Sequence, residues 1–221
     1  MDTHAFQSRM ELFQNKCRRM AKNKLIFLDA TGINIGAKPI YGLAPRGKAA
    51  TVKIQRPKRY QGRVDFIGAI QGYKPIACQV ITPTDRHEEG VKGVTKPMMK
   101  SFLRETLAPK MDVKGSVVIM DKGLRFKPEE ILHELKEGGC QCVAEAWILP
   151  TGTGKYLNPL DNNLWHELKD AVRDDTSETE NDTVDSLIGH FMAMTEDNIK
   201  GHYRNCGLMR QQDDAKMNDE Q

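Results

Sequence analysis

No apolar run in these 221 residues approaches the roughly 20 that a membrane span requires. The N-terminus, MDTHAFQSRMELFQNKCRRMAKNK, lacks the apolar stretch of a secretory signal, so no membrane partner is expected. Five cysteines, an odd number and scattered, make no disulfide framework and point to a reducing compartment. Cys140 and Cys142 form a CxC with no second Cys/His pair at zinc spacing, and read as two positions on one face of a strand. There is no internal repeat. Histidines are few; His87 reads as a loop residue and His166 as an ordinary helix-surface one.

Acid is also missing where it counts. Between Asp29 and Asp65 there is no carboxylate, and that interval carries Lys38, Arg46, Lys48, Lys53, Arg56, Lys58, Arg59 and Arg63. With Tyr41 and Tyr60 alongside, it reads as a surface for a polyanion, the alternative being a solvated face of a β-meander. The formal net charge is only +3, because beyond Lys169 the balance reverses in DAVRDDTSETENDTVDS. That acidic stretch reads as a flexible linker.

What is present has the rhythm of an α/β domain of ordinary size. Phe6, Met10, Phe13, Cys17 and Met20 recur at helical spacing over residues 5–22. LIFLD reads as a short buried strand ending on Asp29, followed by turn-rich TGINIG and YGLAPRG. ATVKI, VDFIGAI and PIACQVITP are further strands, and VTKPMMKSFLRETLAPKM is a helix. SVVIMD is a strand ending on Asp121, Lys127–Glu137 a helix, and CQCVAEAWIL a strand. A helix from Asn158 to about Val172 has Pro159 near its start, and an amphipathic segment spans Val184–Tyr203. The expected divisions are residues 1–24, a helix packed on the domain; 25–172, the domain; 173–183, the linker; and 184–221, a helical end with a polar tail.

LPTGTGKYLNPLDNNLW holds two competing motifs. Its GTGK suggests a phosphate-binding loop, G-x-x-x-x-G-K-[ST]. Leu149 stands where the first glycine is needed, and Tyr156 where a hydroxyl must reach magnesium, so that reading fails. Lys155 is left either as a point charge for a phosphate or as an exposed loop lysine. The second motif is a carboxylate, Asp161, at the entry to a helix. With Asp29 and Asp121 at strand ends, it could gather three acids at one end of a sheet. Such a cluster repels itself unless cations neutralise it, which suits Mg²⁺ or Mn²⁺ and phosphoryl transfer. Trp147 and Trp165 read as core anchors.

Three stretches resemble the motifs of mariner-like DDE/DDD transposases and their insertion-sequence relatives. KLIFLDATGINIG with YGLAPRGKAA resembles the first, VVIMDKGLRFKPEEILHEL the second, and LPTGTGKYLNPLDNNLWHELK the third, "LPPYSPxLNPIE-x-x-W". The resemblance implies an RNase H-like fold, a central mixed sheet flanked by helices, which cuts DNA at transposon ends and joins it to a target. It implies Asp29, Asp121 and Asp161 as the catalytic, metal-binding triad, holding two Mg²⁺ ions with Mn²⁺ as alternative. It also implies DNA as partner, a homodimer in a synaptic complex, and a nuclear location in a eukaryote or a cytoplasmic one otherwise. Arg46, Lys48, Lys53, Arg56, Lys58, Arg59, Arg63 and Lys155 are the expected DNA contacts.

The sequence departs from the pattern in several places, among them Gly-Lys-Tyr, with one extra residue, where Ser-Pro-Asp precedes the third motif. Ala30 replaces a Glu. Asp121-Lys122-Gly123 replaces Asp-Asn-Ala, and Phe126 stands near an expected His. Trp165 follows the third acid one residue late. Only 24 residues precede the first strand, too few for the helix-turn-helix modules of relatives. A domesticated or decayed domain that binds DNA without cutting it is therefore the alternative expectation.

Overall fold

The computed structural model of the chain describes residues 3–38, 44–48, 62–175 and 177–209. Five apolar runs form one mixed sheet: β1 Leu25–Asn34, β2 Arg63–Gln71, β3 Lys74–Ile81, β4 Ser116–Met120 and β5 Val143–Ile148, in the order β3-β2-β1-β4-β5. β1, β2 and β3 pair antiparallel, while β4 joins β1 and β5 joins β4 in parallel across helical crossovers. The helices are α1 Thr3–Arg18, α2 Pro83–Glu88, α3 Lys96–Ser101, α4 Pro128–Glu137, α5 Gly154–Leu157, α6 Trp165–Asp174, α7 Glu180–Met192 and α8 Glu196–Asn205.

Because side chains alternate along a strand, the sheet buries two different faces. Leu25, Phe27, Phe66, Val117 and Ile119 face α1, α6, α7 and α8 through Phe13, Leu168, Phe191 and Tyr203. Ile26, Leu28, Ile67, Val118 and Met120 face α3 and α4 through Met99, Phe102, Ile131 and Leu135. The terminal helices therefore share the core of the sheet.

Several expected boundaries move. β1 does not stop at Asp29: TGIN continues it, because Gly32 and Ile33 pair with Asp65 and Val64. Cys140 and Cys142 lie in the bend before β5, their sulfurs 3.3 Å apart, rather than on a strand face. The acidic stretch is largely helical: α6 runs to Asp174, and α7 opens on a capping box in which Thr179 accepts from Asp182 N–H at 3.1 Å. The Val184–Tyr203 segment is two helices, α7 and α8. The helix after Pro97 widens to π-type turns over Phe102–Leu107. ATVKI lies outside the described residues, as do Tyr41 and Tyr60.

Candidate active site

The register places the first two acids. Phe27 of β1 pairs with Ile119 of the parallel β4. Two residues further on, Asp29 and Asp121 leave neighbouring strands on the same face, where the β1–β4 pairing has ended. Asp121 caps its own turn, accepting from Gly123 N–H at 2.9 Å. The third acid arrives from the opposite side. Gly154–Leu157 forms one helical turn, Asn158 accepts from Leu160 N–H at 3.1 Å, and Pro159 starts the next segment.

That segment is not a plain α-helix. Over Leu160–Leu164 it makes a π-type turn, in which Trp165 N–H donates to Leu160 carbonyl, five residues back. The wider turn takes up one additional residue. This is the physical resolution of the late tryptophan: Asp161 projects to the acids while Trp165 still enters the core.

Trp165 does more than fill space. Its indole Nε1–H donates to Asp29 Oδ2 at 2.9 Å, and its ring packs edge-on against Phe66. The lane for the ring is cut by Gly68, which pairs with Asp29 across β1–β2. A Cβ there would come within 2.7 Å of the Trp165 ring and 2.9 Å of Phe191. A glycine inside an otherwise apolar strand run, VDFIGAI, was the available signal for this close approach.

The acids sense one another. Burial pushes the Asp29 carboxyl up to about 7, with Asp161 and Asp121 adding to the rise while the hydrogen bonds from Trp165 and the Ala30 backbone oppose it. Asp161 is also raised, first by loss of water around the carboxyl although the residue reaches the surface, then by Asp121; Lys169 and Lys155 pull it back. Lys169, half-buried on α6, is lowered by burial and by Arg173, and held up by Asp161 and Asp29. Neither Lys169 nor the indole donor was legible from sequence. Among the described residues, no three His, Cys, Asp or Glu side chains are gathered tightly enough to hold one ion alone. The oxygen-only donor set and the mutual repulsion nevertheless suit hard divalent cations, each taken by part of the set.

Two cavities adjoin at Asp121. One, of about 340 Å³, is lined by Asp29, Asp121, Gly32, Arg63 and Asp65. The other, of about 590 Å³, lies between Asp121 and Asp161 and includes Lys155. Arg63 reaches the first cavity because Asp65, only 2 % exposed, holds its guanidinium at 2.8 Å. Buried Arg86 binds the same carboxylate and the Arg63 carbonyl. Gly32 leaves the space: a Cβ would meet Asp65 Oδ1 at 2.8 Å and Arg63 Cδ at 2.9 Å. Arg46 and Lys48 are exposed and line neither cavity; Lys53, Arg56, Lys58 and Arg59 lie outside the described residues. Phe126 is buried, with the Lys96 ammonium 4.9 Å from its ring centre. His166 stays at the surface, 3.2 Å from Asp170.

The comparisons with known proteins bear on the fold and the family. The chain is similar in structure to the Mos1 strand transfer complex, with a TM-score of 0.63 and 13 % identity over 91 % of this chain and 57 % of that one. It is similar to the Mos1 mariner paired-end complex with Mg, at 0.58 and 14 %, over 90 % and 58 %. It also resembles the catalytic domain of Mos1 mariner transposase, at 0.55 and 10 %, over 94 % and 90 %. The chain thus spans a little over half of the Mos1 chains in those complexes, and nearly all of the catalytic domain. At identities this low the structural likeness shows a shared fold alone, the RNase H-like mixed sheet with flanking helices that the motifs implied. No curated protein sequence matched. The family described as DDE superfamily endonuclease matches residues 24–185, most of the chain and all three acids, and the chain belongs to that family.

Proposed function

We propose that this chain is the catalytic domain of a transposase-type DNA nuclease and strand transferase, with Asp29, Asp121 and Asp161 as its metal-binding catalytic residues. The observation that carries the reading is the convergence of these three acids, from β1, β4 and the π-turn, around two adjoining cavities. Two divalent ions, Mg²⁺ or Mn²⁺, when bound would supply Lewis acidity to the phosphate and to the attacking and leaving oxygens. Mos1 structures solved with Mg and with Mn support divalent metals as the cofactor.

The chain's own residues do the rest. Asp121, common to both cavities, and its two partners would hold the ions and fix their places. Trp165 holds one oxygen of Asp29 and so fixes the orientation of the carboxylate. Arg63, aimed by Asp65, and Lys155 would meet phosphate oxygens on either side. In this reading water, and later a DNA 3′-hydroxyl, would attack phosphorus in line without a covalent enzyme intermediate.

The Mos1 paired-end and strand-transfer complexes support DNA as partner and a synaptic assembly; a homodimer is part of the proposal. The basic 46–63 interval is proposed to carry DNA contacts, and a nuclear site of action follows for a eukaryotic source. A second reading, a domesticated module that binds DNA without cutting, is favoured by one observation: among the described residues, no three acids are already drawn together for one ion. Plasmid nicking in Mg²⁺ and Mn²⁺ separates the two. Nicking that requires metal and fails in Asp29→Asn and Asp161→Asn supports the nuclease; DNA binding without any nicking supports the module.

A further inference from the structure

The larger cavity has a wall that the triad does not explain. Lys122, Arg125 and Lys155 line it, beside Asp121 and Asp161. All three are exposed, and none is ion-paired with a carboxylate among the described residues. Cations nearby behave differently: Lys96 binds Glu130 at 2.7 Å, Lys100 binds Glu134 at 2.9 Å, and Arg63 is taken by Asp65.

The loop that carries two of these cations is built, not slack. Gly123 N–H binds Asp121, Arg125 N–H donates to the Lys122 carbonyl at 3.0 Å, and the Lys96 ammonium donates to the Arg125 carbonyl at 3.3 Å. Phe126 then anchors the loop in the core. Arg125 sits at φ 53, the one non-glycine with positive φ among the described residues. A turn alone would be served better by glycine there. A side chain held in that conformation beside a functional cavity points to a use for the side chain. Gly152 and Gly154 complete the wall, and a Cβ at Gly154 would come within 3.0 Å of Asp161 Oδ2.

We propose that this cavity is a phosphodiester subsite, holding the DNA strand on the Asp161 side of the acids, with Lys122 and Arg125 as its direct phosphate contacts and Lys155 opposite them. The proposal rests on the nuclease reading above. It also accounts for Lys122, since the cation next to the second acid is then a strand contact rather than a defect of the site. The volume, about 590 Å³, takes a nucleotide unit and not only a free phosphate.

The test is DNA binding by the full chain across a salt series, using a short fluorescein-labelled duplex and fluorescence anisotropy, with nicking measured on the same preparations. Removing one phosphate contact flattens the plot of log affinity against log salt by about one. Lys122→Ala/Arg125→Gly should therefore flatten it by about two. Arg125→Gly relaxes the backbone, so the melting temperature should not fall, which separates a weakened DNA interface from a damaged fold. Lys136→Ala removes a single charge from α4, outside the cavity, and should leave the slope within about half a unit. Lys122→Arg should keep the wild-type slope. A double variant with the wild-type slope overturns the subsite while wild-type nicking leaves the nuclease reading standing. A slope change equal to that of Lys136→Ala also overturns it, as general electrostatics. Wild-type protein that neither binds nor nicks DNA overturns both.

Discussion

Asp29 is the residue on which the electrostatics of the site turn. Its carboxyl is raised from an ordinary 3.8 to about 7, chiefly by burial and further by two neighbouring acids. In the metal-free protein the folded state then holds a proton between about pH 4 and pH 7 that the unfolded chain has released. The contribution of Asp29 to stability therefore falls as pH rises through that window, by on the order of 4 kcal/mol. Thermal melting in chelator should show this decline, and Asp29→Asn should abolish most of it. Divalent ions should reverse the decline near neutrality and bind progressively worse below about pH 7, where the ligand is protonated. Trp165→Phe keeps the aromatic packing but removes the donor, so the Asp29 titration should move further up. Sequence singled out Asp29, Asp121 and Asp161 first by their places beside apolar runs and then, more specifically, by the resemblance of the motifs that carry them. It did not show the indole donor or the Asp65–Arg86 support of Arg63, because nothing in spacing says which way an indole N–H points or which arginine a buried acid selects.

The element that departs most from expectation is the π-turn over Leu160–Leu164. A tryptophan one residue late in the motif predicts either a displaced acid or a displaced core anchor. The wide turn avoids both by letting one additional residue into the ring of the hydrogen bond. Deleting exposed Asn163 should allow an ordinary α-turn, with Asp161 and Trp165 keeping their places. Helix content and melting temperature should then hold, and metal-dependent nicking should stay within about tenfold, a barrier change of roughly 1.4 kcal/mol. A deletion that folds but does not nick would mean that the wide turn itself aims Asp161. The mixed sheet flanked by helices was legible once the motifs were placed; the strand order and the parallel β1–β4 register were not, because they rest on pairings between distant segments. The extension of β1 past Asp29 was not, because TGIN carries turn-forming residues and becomes a strand only through its partner, Arg63–Phe66. Long-range pairing of this kind overrides local propensity.

At the level of the whole molecule, the candidate site sets three acids beside cations in two adjoining cavities. On the proposed function, Asp29, Asp121 and Asp161 take cations, while Lys122, Arg125 and Lys155 take an anion. DNA with divalent metal satisfies both at once. Affinity for DNA should fall by orders of magnitude between low and physiological salt, with a log–log slope that counts the phosphates engaged. An affinity indifferent to salt would leave the basic interval without its proposed role. The division of the chain into separate units was the least legible feature: the acidic run suggested a linker, yet α6 and α7 meet across it and Phe191 reaches Phe66 at 5.2 Å between ring centres. Whether the three acids work as one catalytic unit is decided by metal-dependent nicking of supercoiled plasmid by the wild type, Asp29→Asn, Asp121→Asn and Asp161→Asn. Wild type should nick in Mg²⁺ or Mn²⁺ and not in chelator, and each variant should lose about 10³-fold or more while largely keeping its DNA affinity. Nicking that survives any one of these substitutions, or that proceeds without metal, would contradict a metal-dependent triad.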